Sequence, residues 1–206
     1  MNPRDSAQLE AKLREEPDNP EAQYELALAY LDLQRNNEAL QLLDRSIGLR
    51  RRDPSAYYAR AVANLSMSNF RKAGCDLLRT IALDRSRLEA YKHLGFVQLT
   101  LGKEDAALKT LQRALEIDPG YADAYCILGD AYMDLSEHDK AREAFEKALE
   151  IEPDGPEPHC KMAMYYVARG DMKGLKTEYE LLKTLDADMA RQIGTLFFDE
   201  DHETIS

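Results

Sequence analysis

No run of about 18 apolar residues occurs anywhere in the 206-residue chain, which sets aside a membrane-spanning helix. The opening MNPRDSAQLE is polar and charged and lacks the apolar core of an export signal, so a cytoplasmic location is expected. Cysteine is scarce. Cys75, Cys126 and Cys160 are an odd number with no CxxC pair, which argues against a disulfide framework and fits a reducing compartment. Catalytic signatures are missing too: there is no glycine-rich phosphate loop after a strand, no HExxH and no nucleophile elbow. Neither a catalytic residue nor a cofactor is expected. Basic residues are in the minority, 27 Lys and Arg against 38 Asp and Glu, and the net charge of −11 argues against a general nucleic-acid binder.

What the chain does have is a period. Segments of 34 residues open at Pro20, Pro54, Leu88, Ala122 and Pro156, with no insertion or deletion between them. The eighth position of each is small (Ala27, Ala61, Gly95, Gly129, Ala163), and twelve residues on stand Ala39, Ala73, Ala107, Ala141 and then Leu175. Within each segment two stretches of helical apolar period are separated by a short polar turn. In the fourth, Tyr125, Leu128, Gly129 and Tyr132 share one face of a first helix, A. Ala141, Phe145 and Ala148 stripe a second, B, which Pro153 ends. Gly129 falls where a neighbouring helix must approach closely. Units of this length stack, burying a strip of core between neighbours.

At these residues the chain resembles the tetratricopeptide repeat (TPR) family. Its pattern of an aromatic at position 4, Leu at 7, Gly or Ala at 8, Tyr at 11, Ala at 20, an aromatic at 24, Ala at 27 and Pro at 32 is met in full by Tyr125, Leu128, Gly129, Tyr132, Ala141, Phe145, Ala148 and Pro153. The third segment follows with Tyr91, Leu94, Gly95, Ala107, Leu111, Ala114 and Pro119, departing at Gln98. The resemblance implies an all-α, right-handed superhelical solenoid of helix-turn-helix repeats with about twelve helices. The expected divisions are an N-terminal capping helix in 1–19, repeats at 20–53, 54–87, 88–121, 122–155 and 156–189, and a C-terminal amphipathic helix with an acidic tail in 190–206. Gly170 and Gly174 read as turn residues.

The resemblance also implies where a partner would lie. In this family helix A lines the concave groove through positions 2, 5, 9, 12 and 13. Positions 5, 9 and 12 read Tyr24, Leu28 and Leu31; Tyr58, Val62 and Leu65; Lys92, Phe96 and Leu99; Cys126, Asp130 and Met133; Cys160, Met164 and Val167. Positions 5 and 12 are often apolar to support a neighbouring helix, but position 9 is commonly polar, and here only Asp130 is. Soluble monomers rarely leave such an apolar patch bare, so a cover is expected. The favoured one is an apolar or amphipathic segment of a protein partner; the other is the chain's own Ile193, Leu196, Phe197 and Phe198. The carboxylate clamp with which relatives hold chaperone tails is absent, because Tyr24, Leu28, Ala59, Glu89 and His93 replace its cationic and amide residues.

Charge is unevenly placed. Between Arg45 and Lys92 the local charge is +7, leaving −18 for the remainder. Arg50, Arg51, Arg52, Arg85 and Arg87 fall in two successive inter-repeat turns and are expected to form one basic edge. Such an edge suits two alternative functions: head-to-tail self-association with the acidic C-terminal half, giving a homo-oligomeric scaffold, or docking on an anionic polymer or lipid surface. His93, Cys126, His159 and Cys160 all fall near the starts of helices A. Packed helices stand about 8–10 Å apart, too far for a disulfide and awkward for tetrahedral zinc, so no metal is expected.

Overall fold

The structure, a computed structural model, describes residues 3–198. The expected acidic tail at 199–206, with His202, lies outside the described residues. Among the described residues there are twelve α-helices and no strand, an all-α helical-repeat solenoid in class. The chain divides into two compact units, residues 1–106 and 107–206.

The first unit contains α1 (Pro3–Glu15), α2 (Pro20–Asp32), α3 (Asn36–Leu49), α4 (Pro54–Ser66), α5 (Phe70–Leu83) and α6 (Leu88–Thr100). α7 (Glu104–Ile117) starts at its end and runs into the second unit, which continues with α8 (Ala122–Asp134), α9 (His138–Ile151), α10 (Pro156–Arg169), α11 (Met172–Leu185) and α12 (Ala187–Phe197). The starts of α2, α4, α6, α8 and α10 are 34 residues apart.

Local chemistry explains these bounds. Pro20 and Pro54 occupy the first helical turn, where an amide donor is not needed. Before them Asn19 and Asp53 cap, each accepting from two backbone N–H groups of the following turn. Each A–B turn closes the same way. Gln34, Ser68, Gly102, Ser136 and Gly170, all at position 15, adopt positive φ of 56–70°. The residue after each donates to a carbonyl five positions back, as in Arg35 to Tyr30 and Asp171 to Tyr166, so the freed helix-end carbonyls are satisfied.

A second bond recurs at the start of helices A. The side chain at position 4 donates to the backbone carbonyl six residues earlier: Gln23 to Pro17, Tyr57 to Arg51 and Tyr91 to Arg85. His159 Nε2 lies 2.8 Å from the carbonyl of Pro153 in the same register.

Packing follows the small positions. In the first unit Leu26, Ala27, Ala39 and Leu43 are buried with Ala56 and Ala59, and α1 adds Leu9 and Leu13 to that cluster. In the second, Gly129 lets α9 approach so closely that a Cβ there would overlap the Phe145 ring. Gly174 corrects its reading as a turn residue: it lies inside α11, where a Cβ would stand 2.6 Å from the Tyr166 ring. Close approach at that pair moves to Gly174 because Leu175 and Leu182 occupy the small positions; both are fully buried with Ala163, Ala190 and Ile193.

Candidate partner-binding face

Positions 5, 9 and 12 of a helix A are separated by four and three residues and so fall along one face. On α2, α4 and α6 this face is apolar and partly open. Leu28 is 37% exposed and Phe96 47% exposed, with Val62 half-buried. Phe96 keeps one edge on Phe70, ring centroids 6.3 Å apart. Tyr24 and Leu31 are half-buried against the first core cluster, and Tyr58 and Leu65 against the next, so they support the fold as well as line the face. Leu99 and Lys92 are half-buried. Burial raises the Tyr24 and Tyr58 hydroxyls above the ordinary phenol range, keeping both neutral. Tyr58 stacks on His93, with its hydroxyl 3.2 Å from Nδ1.

The corresponding residues of the second unit present a different surface. Cys126 is only 1% exposed and packs with Ala122 and Ala148, so it has no side-chain surface to offer a ligand. Burial pushes its thiol up to about 12. Cys160 and Val167 pack against the cluster that α12 joins through Ala190 and Ile193, with Phe197 and Phe198 beside them. Ile193, Phe197 and Phe198 are thus engaged at the end of the second unit, while Leu196 faces solvent. Met164 stays 41% exposed and Met133 half-buried. Asp130 pairs with Lys161 at 2.6 Å. Burial raises the Asp130 carboxyl, an effect Lys161 offsets in part; for Lys161, burial lowers the ammonium but attraction to Asp130 outweighs it and the net shift is upward.

Of the five arginines at the expected basic edge, two are engaged. Arg50 pairs with Glu21 at 2.8 Å. Arg87 approaches Asp84 at 3.5 Å, donates to the Ser55 hydroxyl at 3.2 Å and lies over the Tyr58 ring. That reach to Ser55 brings the α5–α6 turn against the first turn of α4. Arg51, Arg52 and Arg85 are exposed. Arg60 does not behave as a free cation. Nε and Nη2 clasp the Asp76 carboxylate at 2.9 and 2.7 Å, and Nη1 donates to Asp44 at 2.7 Å, joining α3, α4 and α5.

Among the described residues no group of three His, Cys, Asp or Glu side chains is placed to hold a metal ion, and no helix is long and apolar enough to cross a membrane.

Comparison with known proteins agrees with this architecture. Patterns described as tetratricopeptide repeat match residues 7–65 and 122–154, and one described as TPR repeat matches residues 99–136. The chain is similar to the crystal structure of MamA, with 31% identity, 72% of this chain and 86% of that one covered, and a TM-score of 0.68. It is also similar to TTC0263, a thermophilic TPR protein of Thermus thermophilus, with 25% identity over 86% of this chain and 98% of that one, TM-score 0.73. A tetratricopeptide repeat protein from Parabacteroides merdae shares the fold at TM-score 0.81 and 17% identity, covering 93% of this chain and 78% of that one. No curated protein matches the chain. The even helical period, the small residues at each close approach and these likenesses lead to one assignment: the chain belongs to the tetratricopeptide repeat family.

Proposed function

We propose that the protein is a non-enzymatic interaction scaffold whose face on α2, α4 and α6 receives an apolar or amphipathic segment of a protein partner. A fold that presents repeated helices with side chains aligned along one face suits holding another chain. The observation that carries the reading is the exposure of Leu28 and Phe96 at a position where the family usually has polar residues, with Val62 between them in register. A contiguous row of apolar side chains left open to water marks an interaction site, whereas single exposed ones do not. The working division is five repeats, 20–53 through 156–189, between a capping helix and α12.

A peptide-display selection tests it. Peptides are selected on the full chain from a library of amphipathic sequences and then measured against Phe96→Asp and Val62→Asp. Selected peptides should carry apolar residues at helical or alternate spacing and bind the variants at least about tenfold more weakly, since one buried aromatic contact is worth more than about 1.4 kcal/mol. Equal binding to the wild-type chain and both variants removes the assignment.

A second reading rests on Arg51, Arg52 and Arg85, exposed in adjoining turns of the first unit. Such a cluster favours an anionic polymer, lipid headgroups or an acidic protein surface, a second copy of this chain included. Reversing Arg51 and Arg52 to Glu separates the two: it abolishes binding to anionic vesicles under the second and leaves the selected peptides bound under the first.

A further inference from the structure

The solvent side of α5 differs from that of the other helices B. α3, α7, α9 and α11 each expose a carboxylate, Asp44, Asp105, Glu143 and Glu180 among them, whereas the one acid of α5, Asp76, is buried on Arg60. The exposed side chains of α5 are Arg71, Lys72, Cys75, Leu78, Arg79 and Ala82. Spacings of three and four put Cys75, Leu78 and Ala82 in one row, with Arg71 a turn before it, Arg85 past its end, and Lys72 and Arg79 along its flank. Leu78 is 57% exposed, so the row is apolar in the middle and cationic at both ends.

Contacts within the first unit bring further cations to this side. The Arg79 guanidinium lies 5.8 Å from the Tyr57 ring centroid, and the Tyr57 hydroxyl donates to the Arg51 carbonyl at 3.3 Å. α5 therefore stands beside the turn that carries Arg51 and Arg52. Leu49, 49% exposed, ends α3 just before that turn. Among the described residues Arg51, Arg52, Arg71, Lys72, Arg79 and Arg85 have no carboxylate partner. Asp44 and Asp76 together exceed Arg60 by one charge, and the capping Asp53 adds another, so the cations remain well in excess.

Resting on the reading of Arg51, Arg52 and Arg85 as a contact for an anionic surface, we propose that this side of α5 docks the chain on an anionic lipid bilayer. Leu78, and Leu49 from α3, enter the headgroup layer, and the cations around them meet lipid phosphates and carboxylates. Charge complementarity selects an anionic partner, and the apolar row selects a bilayer among such partners. Cys75, Leu78 and Ala82 gain nothing on a nucleic-acid backbone, which is held by cations, hydrogen-bond donors and stacking aromatics. Tyr57, the aromatic beneath these cations, has Arg60 and Arg79 over its ring. At a bilayer the same arrangement is complementary, because apolar side chains reach the acyl boundary while long cationic ones bend outward to the headgroups.

The test sediments the full chain with vesicles of phosphatidylcholine, either pure or containing phosphatidylserine. The anionic vesicles should bind at least about tenfold more chain than the neutral ones, and binding should fall as salt rises. Arg71→Gln with Arg79→Gln should weaken binding about fivefold for each charge removed. Leu49→Ser with Leu78→Ser should weaken it about tenfold on vesicles and leave binding to heparin, a polyanion without an apolar layer, unchanged. A fluorophore attached to the exposed Cys75, its place checked by peptide mapping, should be quenched by brominated lipids in the anionic vesicles, which decides the matter even where a variant folds poorly. Leucine variants that bind anionic vesicles as tightly as the unaltered chain, an unquenched label, or a chain that binds heparin or an acidic peptide but no vesicle overturns the bilayer and leaves the broader anionic reading standing. A chain that binds none of these probes overturns both.

Discussion

The His159 ring bridges two acceptors, with Nδ1 2.7 Å from Glu178 Oε2 and Nε2 2.8 Å from the Pro153 carbonyl. Both side chains are buried, so α10 is tied to α11 and to the turn before it through one imidazole.

His159→Leu should therefore lower stability by about 3 kcal/mol, because it leaves the Glu178 carboxylate buried without its partner. His159→Leu with Glu178→Leu should recover part of that loss. Urea unfolding of the unaltered chain and the two variants measures it; a double variant no more stable than the single one would show that packing and not the pair is responsible.

Gly129→Ala should cost about 2 kcal/mol, although alanine is the better helix former by about 1 kcal/mol at an open site. The added methyl overlaps the Phe145 ring. Phe145→Leu in the same chain should reduce the penalty, which thermal unfolding of the double-mutant cycle will show.

Ser68 holds φ of 56° in the α4–α5 turn. Ser68→Gly should stabilise by about 1 kcal/mol, since a left-handed residue with a Cβ costs about 1–2 kcal/mol, and Ser68→Val should destabilise. Equal denaturation midpoints for all three would contradict the turn geometry.

The Asp130–Lys161 pair gives a pH signature with two limbs. A carboxyl raised in the folded state holds its proton more readily there than in the unfolded chain, so lowering pH through its folded value down to the ordinary 3.8 adds stability. An ammonium raised in the folded state contributes fully below 10.5, and that contribution is lost as pH rises through its folded value. Relative to Asp130→Asn, the unaltered chain should gain on the acid side. Relative to Lys161→Met, it should lose more above pH 10.5. Denaturation midpoints across pH record both limbs, and parallel curves would refute the shifts.

The repeat frame made some of this legible and hid the rest. Position 8 announced the close approach at Gly129 because helix contact punishes any larger residue there. The Asn19 and Asp53 caps sit where a proline-opened helix wants them. Arg60 looked like one more cation of the basic band; its partners Asp44 and Asp76 each lie 16 residues away, a spacing fixed only when α3 and α5 close on α4. Cys126 belongs to the face by register yet is covered, since whether position 5 is open depends on the bulk around it. Cys160 and Val167 stay half-buried against a cluster to which α12 contributes Ala190 and Ile193; the apolar stripe of α12 was visible, but its docking place was not. The His159 bond to Pro153 had a signal: Tyr57 and Tyr91 make the same bond in the same register.

Those register bonds also bear on how such a chain is assembled and varied. The turn closure spans five residues and the latch at the start of four of the A helices spans six, so these joints are made from residues that arrive together as the polypeptide is built. Hairpins closed by near-neighbour contacts form early and fast. They also make the 34-residue unit portable: copying or losing a whole one leaves each remaining joint intact, whereas a deletion inside the six-residue span severs that latch from its carbonyl.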